Sequence, residues 1–399
     1  MKIRNCMTFL ALSLIAMLIN GNLVGQSKVK QQPKNHYDVA AFYWPAYHHE
    51  PRLQQVFPDG KGEWEDIYNA KPENPGHDQP KVPLWGYEDE SDPKAMEKKI
   101  DAAKKHGVNV FIFDWYWYDG KPLLEDCIDN GFLKAKNNDQ IKFYIMWANH
   151  TANSYWDRKT QDKTKVLWPG ECDRKNFDIV VDRIISQYFK QPSYYKIDGK
   201  PVFSIYELST LIKGLGGIEN TKDALDSFRK KTVEAGFPGL HLQAILWGAI
   251  PKNLAGVPGD QVQTQGDVLK YFGFNSLTNY QWVHFVSPDN DYINWANQAT
   301  AMWPQFDKEF AIPYFPHVSI GWDNNPRFPE GKQAYVRNTS PESFAIYLRK
   351  AKSYIDQHPD QPKLITINSW NEWSEGSYLE PDKKHKFGYL EAVKAVFGN

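Results

Sequence analysis

Eight short runs of β-branched and aromatic residues recur along this chain, at 38–43, 108–115, 142–148, 201–206, 241–246, 276–280, 311–315 and 364–369. Between and after them lie segments with apolar residues at helical spacing, at 93–106, 123–136, 176–189, 222–235, 267–272, 293–306, 341–357 and 387–397. A strand lies parallel to its predecessor only after a crossover, and a helix is the usual one, so strict alternation predicts a parallel sheet. Eight repeats in a chain of this length predict a closed (β/α)8 TIM barrel. The alternative is an open doubly wound sheet. That fold wants a glycine-rich phosphate turn after its first strand, and the stretch "FYWPAYHH" has none.

Loop lengths sharpen the prediction. Helix-to-strand links such as "KHGVNV" and "AGFPGL" are short, whereas the strand-to-helix links 44–92, 149–174, 247–266 and 316–340 are long. Insertions thus gather at the C-terminal ends of the strands, the face on which such barrels build their sites. Asp198-Gly199 reads as a tight hairpin turn before the fourth strand. No repeat, low-complexity tract or linker interrupts residues 26–399, which are read as one domain.

Residues 1–25 have the pattern of a secretory signal peptide: Lys2 and Arg4, an apolar run from Met7 to Ile19, then small residues near Gly25. The expected protein is therefore secreted or periplasmic, with no membrane span. Losing Lys2 and Arg4 would take the formal charge from −1 to about −3, which excludes an electrostatic case for nucleic acid. Cys127 and Cys172 would then be the remaining cysteines, too few for a disulfide framework. A monomer is expected, with no cofactor and no metal, since the histidines lack zinc-ligand spacing.

Composition enters with the aromatics. The chain has 15 Trp and 22 Tyr, side chains whose mixed apolar and polar character suits the faces of sugar rings. In a barrel the strand ends converge on one crater. Here they bring Tyr43 and Trp44 from the first strand, and Asp114, Trp115, Tyr116 and Trp117 from the second. Asn149 and His150 follow the third, Tyr206 and Glu207 the fourth, Tyr280 the sixth and His317 the seventh. The loop "GWDNNPR" adds Asp323 and Arg327, and "SWNEWSEG" adds Asn371, Glu372, Trp373 and Glu375. Carboxylates among aromatic rings are what glycosidic cleavage requires: one acid for the leaving oxygen, one carboxylate for the anomeric centre, and rings to hold the sugars. Asp323 and Arg327 also read as an ion pair within their loop, and Asn149-His150 as a turn. A Ser-His-Asp hydrolase would need a G-x-S-x-G elbow that the chain lacks.

The motif "WNEWSEGSYLEP", with "AFYWPAYH", "LWGY", "GVNVFIFDWYWYDG", "WANH", "IDGKPVFSIY" and "GWDNNPR" in the same order, resembles glycoside hydrolase family 99 and, more closely, the related WbsX-type group described as glycosyltransferases. The resemblance implies a barrel, an oligosaccharide or polysaccharide substrate, and Glu372 and Glu375 as the catalytic pair. It further implies retention of configuration without a protein nucleophile. Glu372 would draw the proton from the sugar's own 2-hydroxyl as that oxygen closes on C1, and Glu375 would protonate the departing oxygen. The third strand end departs from the mannosidase pattern, reading "WANHTAN" where carboxylates are expected, so the resemblance does not carry mannose specificity. Transfer from a nucleotide sugar and non-catalytic sugar binding are the alternatives. An exported protein would be separated from the cytoplasmic nucleotide sugars that transfer requires.

Overall fold

The computed structural model describes residues 36–153, 164–248, 250–254, 262–328 and 333–398; the leader expected over 1–25 lies outside the described residues. Eight parallel strands carry the fold: β1 (Asp38–Tyr43), β2 (Val110–Tyr118), β3 (Lys142–Trp147), β4 (Lys200–Ile205), β5 (His241–Ile245), β6 (Ser276–Thr278), β7 (His317–Ser319) and β8 (Leu364–Asn368). They pair in the order β6-β5-β4-β3-β2-β1-β8-β7. Pairing of the first strand with the last, from Asp38 opposite Leu364 to Ala41 opposite Ile367, closes the ring on that side.

The seventh strand departs from expectation. The run 311–315 was the predicted strand, yet regular pairing with β8 begins only at His317, opposite Thr366. Pro313 and Pro316 explain the shift, since neither has an N–H for a ladder. Their carbonyls still serve: Leu277 N–H donates to Pro313 O at 3.0 Å and Thr366 N–H to Pro316 O at 3.1 Å. Phe315 N–H returns a bond to Leu277 O at 2.9 Å. One kinked segment thereby pairs first with β6 and then with β8, and the barrel closes across it.

The helices pack outside: α1 (Pro93–Lys105), α2 (Arg174–Arg183), α3 (Ile218–Glu234), α4 (Gln265–Tyr271), α5 (Tyr292–Thr300), α6 (Trp303–Glu309), α7 (Pro341–Gln357) and α8 (Gly388–Phe397). Local signals set several ends. Asp92 caps α1 by accepting from Lys94 N–H, with Pro93 in the first turn. Ser340 and Ser343 cap α7 reciprocally. The segment expected as one helix over 293–306 breaks after Thr300, four residues before Pro304, whose ring would meet that carbonyl. The helix expected over 123–136 shortens to a π-helical turn, Cys127–Phe132. The hairpin at Asp198-Gly199 has φ of 51° and 77°, the positive pair that a two-residue turn needs. Cys127 and Cys172 are both buried free thiols.

Period-two alternation sorts β2, whose nine residues are all buried. Phe111 and Phe113 pack outward on Phe132, and Trp115 donates its indole N–H to Glu125 at 2.8 Å. Asp114 and Tyr116 therefore point into the barrel. Below the crater the interior is filled by a hydrogen-bonded polar layer. Tyr144 donates to Gln243 at 3.0 Å, and Thr366 Oγ1 lies 2.7 Å from Thr278 and 2.9 Å from His317 Nδ1.

Candidate active site

At the C-terminal ends of the strands lies a cavity of about 480 Å³. Its chemistry begins in the turn after β8. Asn371-Glu372 pairs antiparallel with Ser377-Tyr378 around Trp373–Glu375, and Gly376 closes the turn at φ 61°, in the left-handed region that favours glycine. Asn371 holds the turn to β1, accepting from Trp44 N–H at 2.8 Å and donating to Trp44 O at 2.7 Å. Trp373 stacks on Tyr378 at 3.8 Å and donates its indole N–H to Glu380 at 2.8 Å. Glu372 and Glu375, three residues apart on this braced turn, both line the cavity.

Tyr280 links Glu372 to β2. Its hydroxyl oxygen lies 2.6 Å from Glu372 Oε1 and 2.8 Å from Asp114 Oδ2. A phenol carries one proton, so it donates to one of these carboxyls and can accept only from a protonated other. Burial pushes Asp114 well above the usual carboxylate range, opposed by the Tyr280 hydrogen bond. Burial also pushes Glu372 well up, and the Glu375 charge adds to it.

Arg327 is the cation of the crater. Its Nε donates to Glu63 and its Nη1 to Glu375, each at 2.6 Å, while Nη2 lies 3.5 Å from Glu372. Its guanidinium sits 5.6 Å above the Trp44 ring, and Trp44 donates its indole N–H to Glu63. Burial opposes the charge on Arg327, but the three carboxylates more than offset this and raise its proton affinity. Burial raises Glu375 as well, with Arg327 pulling the other way. Glu375 Oε2 and Asp114 Oδ1 are buried and meet no hydrogen-bond partner among the described residues.

The opposite wall is aromatic. Tyr206 and Trp247 stack at 5.0 Å, and the Trp247 indole N–H donates to Tyr206 O at 3.0 Å. His150, its proton affinity lowered by burial, meets Tyr116 and Tyr206 edge-on. Burial also holds His284, beside Trp247, down to about 4.

Of the residues singled out in the sequence, Trp44, Asp114, His150, Glu207, Tyr280, Arg327, Glu372 and Glu375 share this one cavity. The others lie elsewhere, for stated reasons. Tyr43 points outward, its hydroxyl on Met96 Sδ at 3.6 Å, because alternation turns Phe42 inward instead. Trp115 and Trp117 stack on each other on the outer face of β2. Asn149 clamps the ends of β3 and β4, accepting from Glu207 N–H and donating to Glu207 O, both at 2.8 Å. His317 belongs to the polar layer below. Asp323 accepts from Gln79 and Asn325 at 2.7 Å and lies 2.8 Å from His77, on a separate polar cleft. Asn371 and Trp373 brace the turn. Tyr116 and Tyr206 from the strand ends also line the cavity, as does Trp247, which was not singled out. Tyr116 was legible by counting two residues from Asp114. Among the described residues no group of three or more His, Cys, Asp or Glu side chains is placed to hold a metal ion.

A parallel eight-stranded barrel with this crater has the fold of the barrel glycoside hydrolases. It is similar to the GH99 endo-α-mannosidase of Bacteroides thetaiotaomicron, with a TM-score of 0.53 and 16% identity over 92% of this chain and 97% of that one. The chain belongs to the family described as Glycosyltransferase WbsX, whose model matches residues 39–393. It is 26% identical over 365 residues to the uncharacterized protein WxcX of Xanthomonas campestris pv. campestris, covering 89% of this chain and 49% of WxcX. The chain thus spans about half the length of that relative. It is also 19% identical over 375 residues to the glycoprotein endo-alpha-1,2-mannosidase of Mus musculus, covering 88% of this chain and 69% of that protein. Among the described residues no helix is long and apolar enough to cross a membrane.

Proposed function

We propose that this protein is an exported glycoside hydrolase that cleaves a polysaccharide or complex glycan with retention, using Glu372 and Glu375. The observation that carries the reading is three buried carboxyls, Asp114, Glu372 and Glu375, brought from different strand ends to the wall of one aromatic-lined cavity. Buried carboxylate oxygens are costly without donors, and sugar hydroxyls are donors. The mannosidase names of two relatives agree in reaction class with this geometry.

Glu372, oriented by Tyr280, takes the proton of the 2-hydroxyl as that oxygen attacks C1, and Glu375 gives its proton to the leaving oxygen. Water then opens the resulting 1,2-anhydro sugar with a second inversion, so configuration is retained. Burial raises the proton affinity of both glutamates, and the charge of Glu375 adds to the rise at Glu372, so the two compete for a proton. Arg327 lies closer to Glu375 than to Glu372 and so favours the proton on Glu372. A sugar 2-hydroxyl donating to Glu372 stabilises its ionised form, and the like charge then drives the proton onto Glu375.

Crater charge favours hydrolysis over transfer. Arg327 is the one Lys or Arg among the described residues lining it, and three carboxylates already engage it. A nucleotide diphosphate would meet net negative charge there. The deciding experiment incubates protein recovered from the export compartment with a glycan panel and with nucleotide sugars, and reads its mature N terminus in parallel. New reducing ends and a start near Gln26 are expected. Nucleotide-sugar turnover without hydrolysis would establish transfer, and an intact leader would refute export.

Trp247 lines the cavity, braced by its stack on Tyr206, and is the ring proposed to hold a sugar. Trp247→Ala should weaken oligosaccharide binding by about 1–3 kcal/mol, the scale for a buried aromatic contact in an interface. Calorimetric titration with a hydrolysed oligosaccharide measures this, and unchanged affinity would make the ring a packing element.

A further inference from the structure

Arg327 contests the proton that Glu375 needs, and Arg327 is itself divided. Its Nε is spent on Glu63, at the same 2.6 Å as its Nη1 contact to Glu375. Glu63 is not part of the cavity wall. It comes from the long loop after β1 and is buried at 3% exposure. The backbone fixes it there. Gly62 has φ of 60°, a Cβ on it would fall 2.1 Å from Ala46 O, and Glu63 N–H donates to that same oxygen at 2.9 Å. Its second carboxylate oxygen takes the Trp44 indole N–H. A buried carboxylate placed with this care, yet out of reach of a ligand in the cavity, acts through the side chain it holds.

We propose that Glu63 is a positioning residue that stops Arg327 from belonging wholly to Glu375, so that Glu375 keeps the proton it delivers to the leaving oxygen. The proposal rests on the acid role given to Glu375 above. Two effects of Glu63 act in the same direction: it shares the guanidinium charge, and it adds a negative charge of its own behind it. The groups facing Glu375 are Glu372 on its own turn, Arg327 from the loop after β7, Asp114 from β2, and the phenols of Tyr206 and Tyr280. Burial raises Glu375, Arg327 lowers it and Glu63 raises it again.

Glu63→Gln removes the charge while keeping an acceptor for Trp44. The direct reading is the pH titration of the Glu375 carboxyl by ¹³C NMR in glutamate-labelled protein, the signal being identified by its loss in Glu375→Gln. The midpoint should fall by about one pH unit, a tenfold loss of proton affinity. The alkaline limb of kcat/KM should move down equally on a glycoside with an alkoxide leaving group, and should not move on a glycosyl fluoride. Glu63→Asp, which restores the charge, should bring the midpoint back toward the parent. Arg327→Gln, a second route should Glu63→Gln fold poorly, should move it upward. A midpoint that stays put in either folded variant overturns the proposal. A lower midpoint with an unmoved alkaline limb would uphold the hold of Glu63 on Glu375 and overturn the acid role instead.

Discussion

Glu375→Ala should cut the rate on natural glycosides by roughly 10²–10⁴-fold, the usual contribution of a positioned general acid. A departing sugar alkoxide is too basic to leave unprotonated, so that step stalls without the acid. A glycosyl fluoride or an activated aryl glycoside departs without help, and on these the variant should keep most of its rate. Glu372→Gln should slow both substrate types, because attack of the 2-hydroxyl on C1 needs a base whatever leaves. The first product, followed by ¹H NMR before mutarotation, should have the anomeric configuration of the substrate. An inverted product would recast Glu372 as the base for an attacking water. Equal losses on both substrates in both variants would refute the division of labour.

Lys99→Met should destabilise the fold by about 3–5 kcal/mol, the cost of leaving buried carboxylates without their cation. Lys99 on α1 is fully buried and pairs with Glu90 and Glu380 (2.6 Å to the latter). Burial opposes its charge, but the two carboxylates outweigh that and hold its ammonium above the ordinary lysine range. With Met in place, Glu90, which burial already raises to about 7, loses the cation that opposes that rise and binds its proton more tightly folded than unfolded. The folded variant is therefore favoured at low pH and loses stability as pH rises through the raised carboxyl values. Urea denaturation at pH 5 and pH 8 should show the larger deficit at pH 8. The consequence reaches the site, because Glu90 also accepts from Asn371 at 3.0 Å and Glu380 from the Trp373 indole, the two neighbours of Glu372. A deficit below 1 kcal/mol at both pH values would show that the triad adds nothing to stability.

Most of the barrel was legible because its strands are short runs dominated by β-branched and aromatic residues, such as "VFIFDWYWY". The seventh was misplaced because apolar content alone says nothing of N–H supply, and Pro313 and Pro316 move regular pairing to His317. Within the crater, strand-end position located the chemistry but not the face. Counting by two from Asp114 separates Tyr116 from Trp115 and Trp117, and counting from Phe42 turns Tyr43 away, so that information was present and unused. Glu63 is a different case. Its meaning lies in a contact with Arg327 across 264 positions of chain, and no local pattern around "KGEWED" announces it.

In barrel enzymes the strand-end loops behave as separate modules that can be exchanged one at a time. Here one guanidinium from the loop after β7 is shared by Glu63 from the loop after β1 and by the glutamates after β8. These three loops form a single inheritable unit, and grafting any one of them alone would strand a charge. His150, Glu207 and Trp247, at the ends of β3, β4 and β5, stand outside that unit on the far wall. Diversification toward new sugars has its open ground there, and a library aimed at altered specificity should be built on those three loops while the Arg327 group is left intact.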